Sequence, residues 1–274
     1  AQALAGAPGV TMGQYRSISV DVGRLDPAAP VRTELWRDEF TGMRVALDHA
    51  RAGGHSGPVK WQFAGPISVG VTLRRCGAPA DLAFVMAASI VQSHLRAMIR
   101  CVRTALPAAP QLVVLDEPLL DGVLAHDFPI APDEAVDVLS STMAAVGRDA
   151  AVGIHTCGDV DLAMLLAAGP DVVSIPVRQI VAGSAGYLGR FLGHGGMVIW
   201  GAVVTEGPIA TSSSRSERQL VALWNDLVER GCDPDRLRGQ ALISPQCGLG
   251  GLSVDAAERV CATAASVSRS LVPA

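Results

Sequence analysis

Short apolar runs alternate along the chain with longer segments in which apolar residues recur at helical spacing. The runs at 59–63, 111–115, 151–155, 171–175, 197–204 and 241–244 end in polar, Gly or Pro residues, and we interpret them as buried strands. The segments at 82–104, 132–146, 161–168, 216–230 and 254–271 have the spacing of amphipathic helices. The pattern therefore predicts a series of βαβ units and a parallel sheet.

Reactive and polar side chains directly follow several of these strands. They are Asp116, Glu117, His155, Cys157, Glu206 and Cys247. Barrel enzymes draw their chemistry from many strand ends, whereas an open doubly wound sheet places its ligands near one switch point. The spread of these residues favours a (β/α)8 TIM barrel that forms a single domain over residues 1–274. Because only six strands are clear, the weaker segments 10–12 and 17–22 are expected to add two, or a strand to lie before Ala1.

Composition and charge narrow the range of partners. The chain has 274 residues, 49% of them apolar, so it can bury a large core. Its net charge of −4 is spread without a basic stripe, which argues against nucleic acid as a partner. Because no run of about 18 apolar residues and no signal segment is present, we expect no membrane span and a cytoplasmic location. Six scattered cysteines then favour thiols or a metal site over disulfides.

A histidine and two cysteines form the strongest candidate for chemistry. His155 and Cys157 stand two apart at a strand end, so their side chains are expected on one side. Alone, such a pair is more often a core histidine and an inert thiol. Cys247 lies 90 residues beyond Cys157, after another strand and before a glycine-rich turn. One imidazole and two thiolates suit Zn²⁺ and leave a fourth place for another ligand, and zinc keeps a thiol deprotonated and nucleophilic.

Carboxylates at two other strand ends are further candidates. Asp116 and Glu117 stand side by side, where they could bind an amino group, ligate a hard cation or transfer a proton. Helix capping or an ion pair is the structural alternative for this pair. Glu206 follows a later strand, and for it a functional role and a plain surface charge are equally open.

Motifs across nearly the whole chain follow the order found in one enzyme family. They are Gly13-Gln14-Tyr15-Arg16, Ala64-Gly65-Pro66-Ile67, Leu115-Asp116-Glu117-Pro118, His155-Thr156-Cys157 and the segment 244–249. The chain resembles the C-terminal catalytic barrel of cobalamin-independent methionine synthase, in the wider group that includes uroporphyrinogen decarboxylase and the coenzyme M methyltransferases. The resemblance implies that His155, Cys157 and Cys247 bind zinc, that Asp116 holds the substrate's amino group, and that a folate methyl group passes to homocysteine.

Four positions depart from the family's pattern. Pro176 stands where the family has a fourth zinc ligand, Gln14 replaces a homocysteine-binding glutamate, Glu206 replaces a catalytic histidine, and Gln246 replaces an aspartate. Either Glu206 or Asp159 is then the fourth ligand, or the site holds three ligands and water. The family's folate-binding half is absent, and its opening strand would lie before Ala1. These changes argue against methionine synthesis by the usual route.

The sequence thus predicts a zinc-dependent methyl- or alkyltransferase. Its acceptor is expected to be a small thiol, homocysteine-like or coenzyme M-like, and its donor a folate, a methyl-corrinoid or an epoxide. Asp116 and Glu206 are predicted to be catalytic, with Asp116, Gln14, Glu117 and Gln246 binding the substrate. Two alternatives stay open: a diverged barrel that binds a ligand without catalysis, and a decarboxylase-type lyase that needs Asp116 but not the cysteines.

Overall fold

The computed structural model describes residues 2–13, 17–207, 209 and 212–272. The chain divides into two compact units, Ala1–Gly153 and Ile154–Ala274. Each unit combines strands with helices. That residues 1–274 act as one domain stays a prediction.

A small hairpin lies near the start of the chain. Strands β1 (Val10–Met12) and β2 (Ile18–Val20) pair antiparallel, with Val10 opposite Val20 and Met12 opposite Ile18. The backbone N–H of Gly13 donates to the carbonyl of Ser17 at 2.9 Å and continues the pairing beyond Met12. These two strands form a two-stranded sheet of their own.

Among the described residues, six further strands form one sheet, in which each strand lies beside the next one in sequence. They are β3 (Val59–Ala64), β4 (Gln111–Asp116), β5 (Ala151–His155), β6 (Val172–Pro176), β7 (Met197–Val203) and β8 (Ala241–Pro245). The β3–β4, β6–β7 and β7–β8 pairs are parallel. These strands correspond to the six apolar runs of the sequence.

The predicted eight-stranded TIM barrel is wrong. The sheet is an open parallel sheet of six strands, and its order leaves β3 and β8 at the two edges. The weaker segments that were expected to complete the barrel are β1 and β2. They pair with each other because short strands joined by a short connection satisfy their backbone hydrogen bonds within a hairpin.

The first unit also contains helices, and those next to β3 pack on one of its faces. The helices are α1 (Thr41–Ala52), α2 (Pro66–Arg75), α3 (Ala80–Ala105) and α4 (Pro132–Ala144). Val59 and Trp61 of β3 pack with buried Leu47 of α1 and Val102 of α3. Since side chains alternate along a strand, Lys60 and Gln62 lie on the opposite, exposed face.

Helix α3 is the one helix, among the residues that the structure describes, whose length and composition would allow it to cross a membrane. However, 56% of its most apolar stretch is buried inside the structure. Ile90, Val91 and Leu95 are fully buried there. This burial is what a core helix of a folded domain shows.

In the part of the second unit that the structure describes, helices accompany the last strands. They are α5 (Leu162–Ala167), α6 (Ala185–Gly193), α7 (Ser214–Glu229), α8 (Pro234–Gly239) and α9 (Val254–Leu271). Asp161 caps α5 by accepting from the N–H groups of Ala163 and Met164. The core contains Trp200 of β7, whose ring meets Trp224 of α7 edge-on at 6.3 Å between centroids. β6 and β7 are largely buried, whereas β8 is mostly half-buried.

Candidate functional site

The end of β5 presents His155 and Cys157. The backbone N–H of Thr156 donates to the carbonyl of Ser174 at 3.1 Å, so the strand pairing continues one residue past β5. Thr156 is fully buried, whereas His155 and Cys157 on either side of it are half-buried. This alternation fits two side chains that share the more open side of an extended segment.

Cys247 lies beside Cys157 although 90 residues separate them. The N–H of Gln246 donates to the carbonyl of Val203 at 2.8 Å and holds the chain just beyond β8. The sulfur atoms of Cys247 and Cys157 are 3.7 Å apart. A disulfide needs about 2.05 Å, so this contact is between two thiols. Two thiolates that share one tetrahedral zinc at about 2.3 Å each would lie roughly 3.8 Å apart.

His155 is oriented by a neighbouring strand. Its Nδ1 lies 3.0 Å from the hydroxyl oxygen of Ser174, which is buried on β6. If Nδ1–H donates to this hydroxyl, Nε2 carries the lone pair that a metal ligand requires. Histidine ligands commonly have such a hydrogen bond on the other ring nitrogen, because it fixes both the tautomer and the ring orientation.

Arg178 fixes the position of the segment that contains Cys157. Its guanidinium donates to the Asp159 carboxylate at 2.6 Å and to the backbone carbonyl of Cys157 at 3.0 Å. Both side chains of the ion pair are substantially exposed, so we expect it to position the turn more than to stabilise the fold. Arg178 contacts only Oδ1 of Asp159, and a carboxylate can bind a metal through one oxygen while the other accepts a hydrogen bond, so Asp159 stays a predicted alternative for the fourth zinc ligand.

The structure places the other predicted site residues of the second unit around the ends of β6 to β8. Pro176 is buried at the end of β6, opposite Gly201 of β7. A Cβ at Gly201 would lie 3.0 Å from Cα of Gln246 and 3.3 Å from Cα of Pro176, so a larger residue would fit only tightly between them. Gln246 is half-buried and Glu206 is exposed after β7. Gln14 lies outside the described residues.

As placed in this structure, the described side chains include no group of three or more His, Cys, Asp and Glu residues that could hold a metal ion. Two of the three predicted ligands, Cys157 and Cys247, are nevertheless in contact. The donor set fits zinc in its chemistry, and the thiol pair is already assembled. A site with three protein ligands at these sulfurs would require a third ligand to lie closer to them than it does in this structure.

In the first unit, Glu117 caps a helix. Its carboxylate accepts from the backbone N–H groups of Ile67 and Ser68, at 2.8 and 2.7 Å, in the first turn of α2. Complete burial raises the pKa of Glu117 to about 7, although these hydrogen bonds oppose the rise. Gly65 makes the approach possible, because a Cβ at this position would overlap the carboxylate. This is the capping role that the sequence left open for the acidic pair.

Asp116 is half-buried at the end of β4 and has a different environment. The side-chain amide N–H of Gln62 donates to Oδ1 of Asp116. The amine of Lys60 donates in turn to the side-chain oxygen Oε1 of Gln62. Burial lowers the pKa of Lys60, while the charge of Asp116 acts in the opposite direction. Of the two neighbouring acids, Asp116 is therefore the one on the more open face of the sheet.

Sequence reasoning missed Ser174 and Arg178. Ser174 interrupts an otherwise apolar strand, and a hydroxyl in such a position signals a buried hydrogen bond. Arg178 stands two residues after Pro176 and has no sequence signal that links it to Cys157. No family model and no curated protein matches the chain.

Proposed function

We propose that this protein binds Zn²⁺ through His155, Cys157 and Cys247 and uses it to transfer a methyl or alkyl group to a small thiol. The observation that supports the proposal most is the 3.7 Å separation of the Cys157 and Cys247 sulfur atoms. Only this kind of convergence makes two cysteines 90 residues apart useful as a chelating pair. The resemblance to the methionine synthase family points to the same three residues.

The surrounding residues have separable tasks in this proposal. Ser174 orients His155, and Arg178 holds the Cys157 turn through its carbonyl. Bound zinc would supply the positive charge that keeps sulfur deprotonated near neutral pH. The acceptor thiol loses its proton, its sulfur attacks the alkyl carbon of the donor, and the bond from that carbon to its leaving group breaks. The exposed Glu206 is the proposed proton acceptor.

The proposal names the chemical classes of the acceptor and the donor. The acceptor is a small thiol of the homocysteine or coenzyme M kind, and Asp116 is the proposed contact for an ammonium group. Glu117 is a poor substrate contact, because its carboxylate already accepts two backbone hydrogen bonds. The donor is a folate, a methyl-corrinoid or an epoxide. A cytoplasmic location, without membrane or nucleic acid as partners, belongs to the same proposal.

Metal analysis of the purified protein tests the proposal. We expect about one zinc per chain after equilibrium dialysis, and its loss in the Cys157→Ser, Cys247→Ser and His155→Ala variants. Cys261→Ser is the matched control, because Cys261 is exposed on α9 and should leave zinc content unchanged. A protein that takes up no zinc refutes the proposal.

An alkyl-transfer assay then separates the enzyme from its alternatives. With zinc bound, at least one acceptor in a panel of small thiols should be alkylated. Zinc binding without any transfer would favour a ligand-binding protein. A decarboxylase-type activity, measured separately, that survives Cys157→Ser and Cys247→Ser but not Asp116→Asn would favour a lyase.

A further inference from the structure

The two sulfur atoms that contact each other are also arranged for oxidation. Cys157 and Cys247 are both half-buried, so a small oxidant can reach them. Their sulfur atoms need to approach by less than 2 Å, from 3.7 Å to the bonding distance of about 2.05 Å. Each cysteine lies two residues beyond the last residue of its strand, Cys157 after β5 and Cys247 after β8, so neither belongs to the paired part of the sheet.

We infer that Cys157 and Cys247 are a dithiol site that a hydroperoxide converts reversibly into a disulfide. One thiolate attacks a peroxide oxygen, the O–O bond breaks, and a sulfenic acid forms. The second thiol then attacks that sulfur, the S–S bond forms and water leaves. In total two thiols lose two electrons and two protons, and one hydrogen peroxide is reduced to two molecules of water.

Two of the other four cysteines, one buried and one exposed, differ from this pair, and the remaining two, Cys76 and Cys101, are half-buried. Cys232 is buried, its thiol donates to the carbonyl of Ala185 at 3.3 Å, and burial raises its pKa. A buried thiol of raised pKa reacts slowly with peroxide. Cys261 is exposed on α9 and serves as an accessible thiol outside the pair. A site-specific reaction should therefore join Cys157 to Cys247 and leave these two unlinked.

This inference deepens the proposed function, because both depend on the same two sulfur atoms. Zinc binds cysteine as the thiolate and a disulfide contains no thiolate, so the two states exclude each other. Formation of the disulfide does not itself need zinc. The two proposals can therefore fail separately.

The test uses the full chain after chelation of metal, with hydrogen peroxide as the probe. Thiols are counted by alkylation under denaturing conditions, before and after a dithiol reductant. We expect the count to fall from six to four and to return to six on reduction, with residues 157 and 247 in one linked peptide pair. In Cys261→Ser the count should fall from five to three, and in Cys247→Ser the linked pair should be missing.

The outcomes distinguish the two proposals. A linkage to any other cysteine, or irreversible oxidation without a linkage, overturns the inference. If the disulfide forms in a protein that never binds zinc, the inference stands and the proposed function fails. If zinc binds but the chelated protein forms no such disulfide, the proposed function stands and the inference fails. Peptide mapping of the unaltered chain gives this result even if a variant does not fold.

Discussion

His94 and His155 both place Nδ1 next to a hydroxyl group, yet their surroundings differ completely. His94 of α3 lies 2.9 Å from the hydroxyl of Thr33 and is fully buried, with the rings of Phe40 and Phe63 at 6.1 and 5.5 Å. Burial lowers its pKa to about 4, so it is neutral throughout the physiological range. His155 is half-buried at a strand end, two residues before one member of a thiol pair.

The same contrast separates Glu117 from the thiols. Glu117 is fully buried and accepts hydrogen bonds from the start of α2, so its chemistry is used within the first unit's own fold. Cys157 and Cys247 are half-buried, and their sulfur atoms face each other. A reactive residue after a strand is thus an ambiguous signal. The atoms that surround it decide whether it serves the fold or a ligand.

The largest expected effect concerns the thiol pair. Cys157→Ser or Cys247→Ser should weaken zinc binding by at least about 100-fold, since even the loss of groups that only orient ligands costs about 10- to 100-fold. Competition with a chromogenic chelator measures this change. An unaltered zinc affinity in both variants would place the metal away from the thiol pair. His155 would then have no ligand role that distinguishes it from His94.

The next effect comes from His94, and its sign is fixed by the lowered pKa. Between pH 6.5 and about 4 the unfolded chain binds a proton that folded His94 rejects. The contribution of His94 to the free energy of unfolding is therefore fully present above pH 6.5. The free energy of unfolding should fall by up to about 3 kcal/mol as the pH drops to 4. Urea unfolding at several pH values measures it. His94→Asn should lack this part of the pH dependence, and an identical slope in both proteins would contradict the buried, neutral role.

Glu117 should show the opposite sign. Because its pKa is raised from 4.5 to about 7, the folded state holds a proton that the unfolded chain has lost, and its stabilising effect declines as the pH rises through this range. Glu117→Gln turns an amide N–H₂ toward a backbone N–H of α2. We expect a loss of about 1–3 kcal/mol at pH 5, and a smaller one at pH 8.

Urea unfolding of Glu117→Gln beside Asp116→Asn tests this difference between neighbouring acids. Asp116 is half-buried and bound by Gln62, so its amide variant keeps an acceptor oxygen and should change stability by under about 0.5 kcal/mol. Equal losses in the two variants would show that Glu117 is not a special capping group.

The smallest expected effect is at Arg178. The guanidinium of Arg178 donates to Asp159 and to the Cys157 carbonyl through two nitrogens of one planar group, which lysine lacks. Zinc affinity should therefore fall by about 10-fold in Arg178→Lys. The free energy of unfolding should change by less than about 1 kcal/mol, because the ion pair is exposed. A large loss of stability with unchanged zinc affinity would make Arg178 a structural residue.

The sequence predicted regular elements well where their pattern was strong. The bounds of β5 and α9 agree with the predicted 151–155 and 254–271, because the apolar spacing is clear and Ser253 gives a capping signal. Helix α2 was missed, since Gly65-Pro66 suggested only the end of a strand. The barrel was wrong because no local pattern shows that β1 and β2 pair with each other and stay out of the large sheet.

The candidate site divides in the same way. Residue type and position after a strand were enough to single out His155, Cys157 and Cys247. The roles of Ser174 and Arg178 depend on how β5 and β6 lie side by side, which the sequence does not show. Glu117 and Asp116 are adjacent in sequence, and only the contact of Glu117 with α2 separates their roles.

Zinc-edge X-ray absorption of the purified protein is the most direct test of the proposed site. Binding by His155, Cys157 and Cys247 predicts about one zinc per chain, with two sulfur atoms at about 2.3 Å and a nitrogen at about 2.0–2.1 Å. In Cys247→Ser, the number of sulfur atoms bound to zinc should fall from two to one. A protein that binds no zinc, or a spectrum with only oxygen and nitrogen neighbours, would contradict a thiol-activating metal site at Cys157 and Cys247.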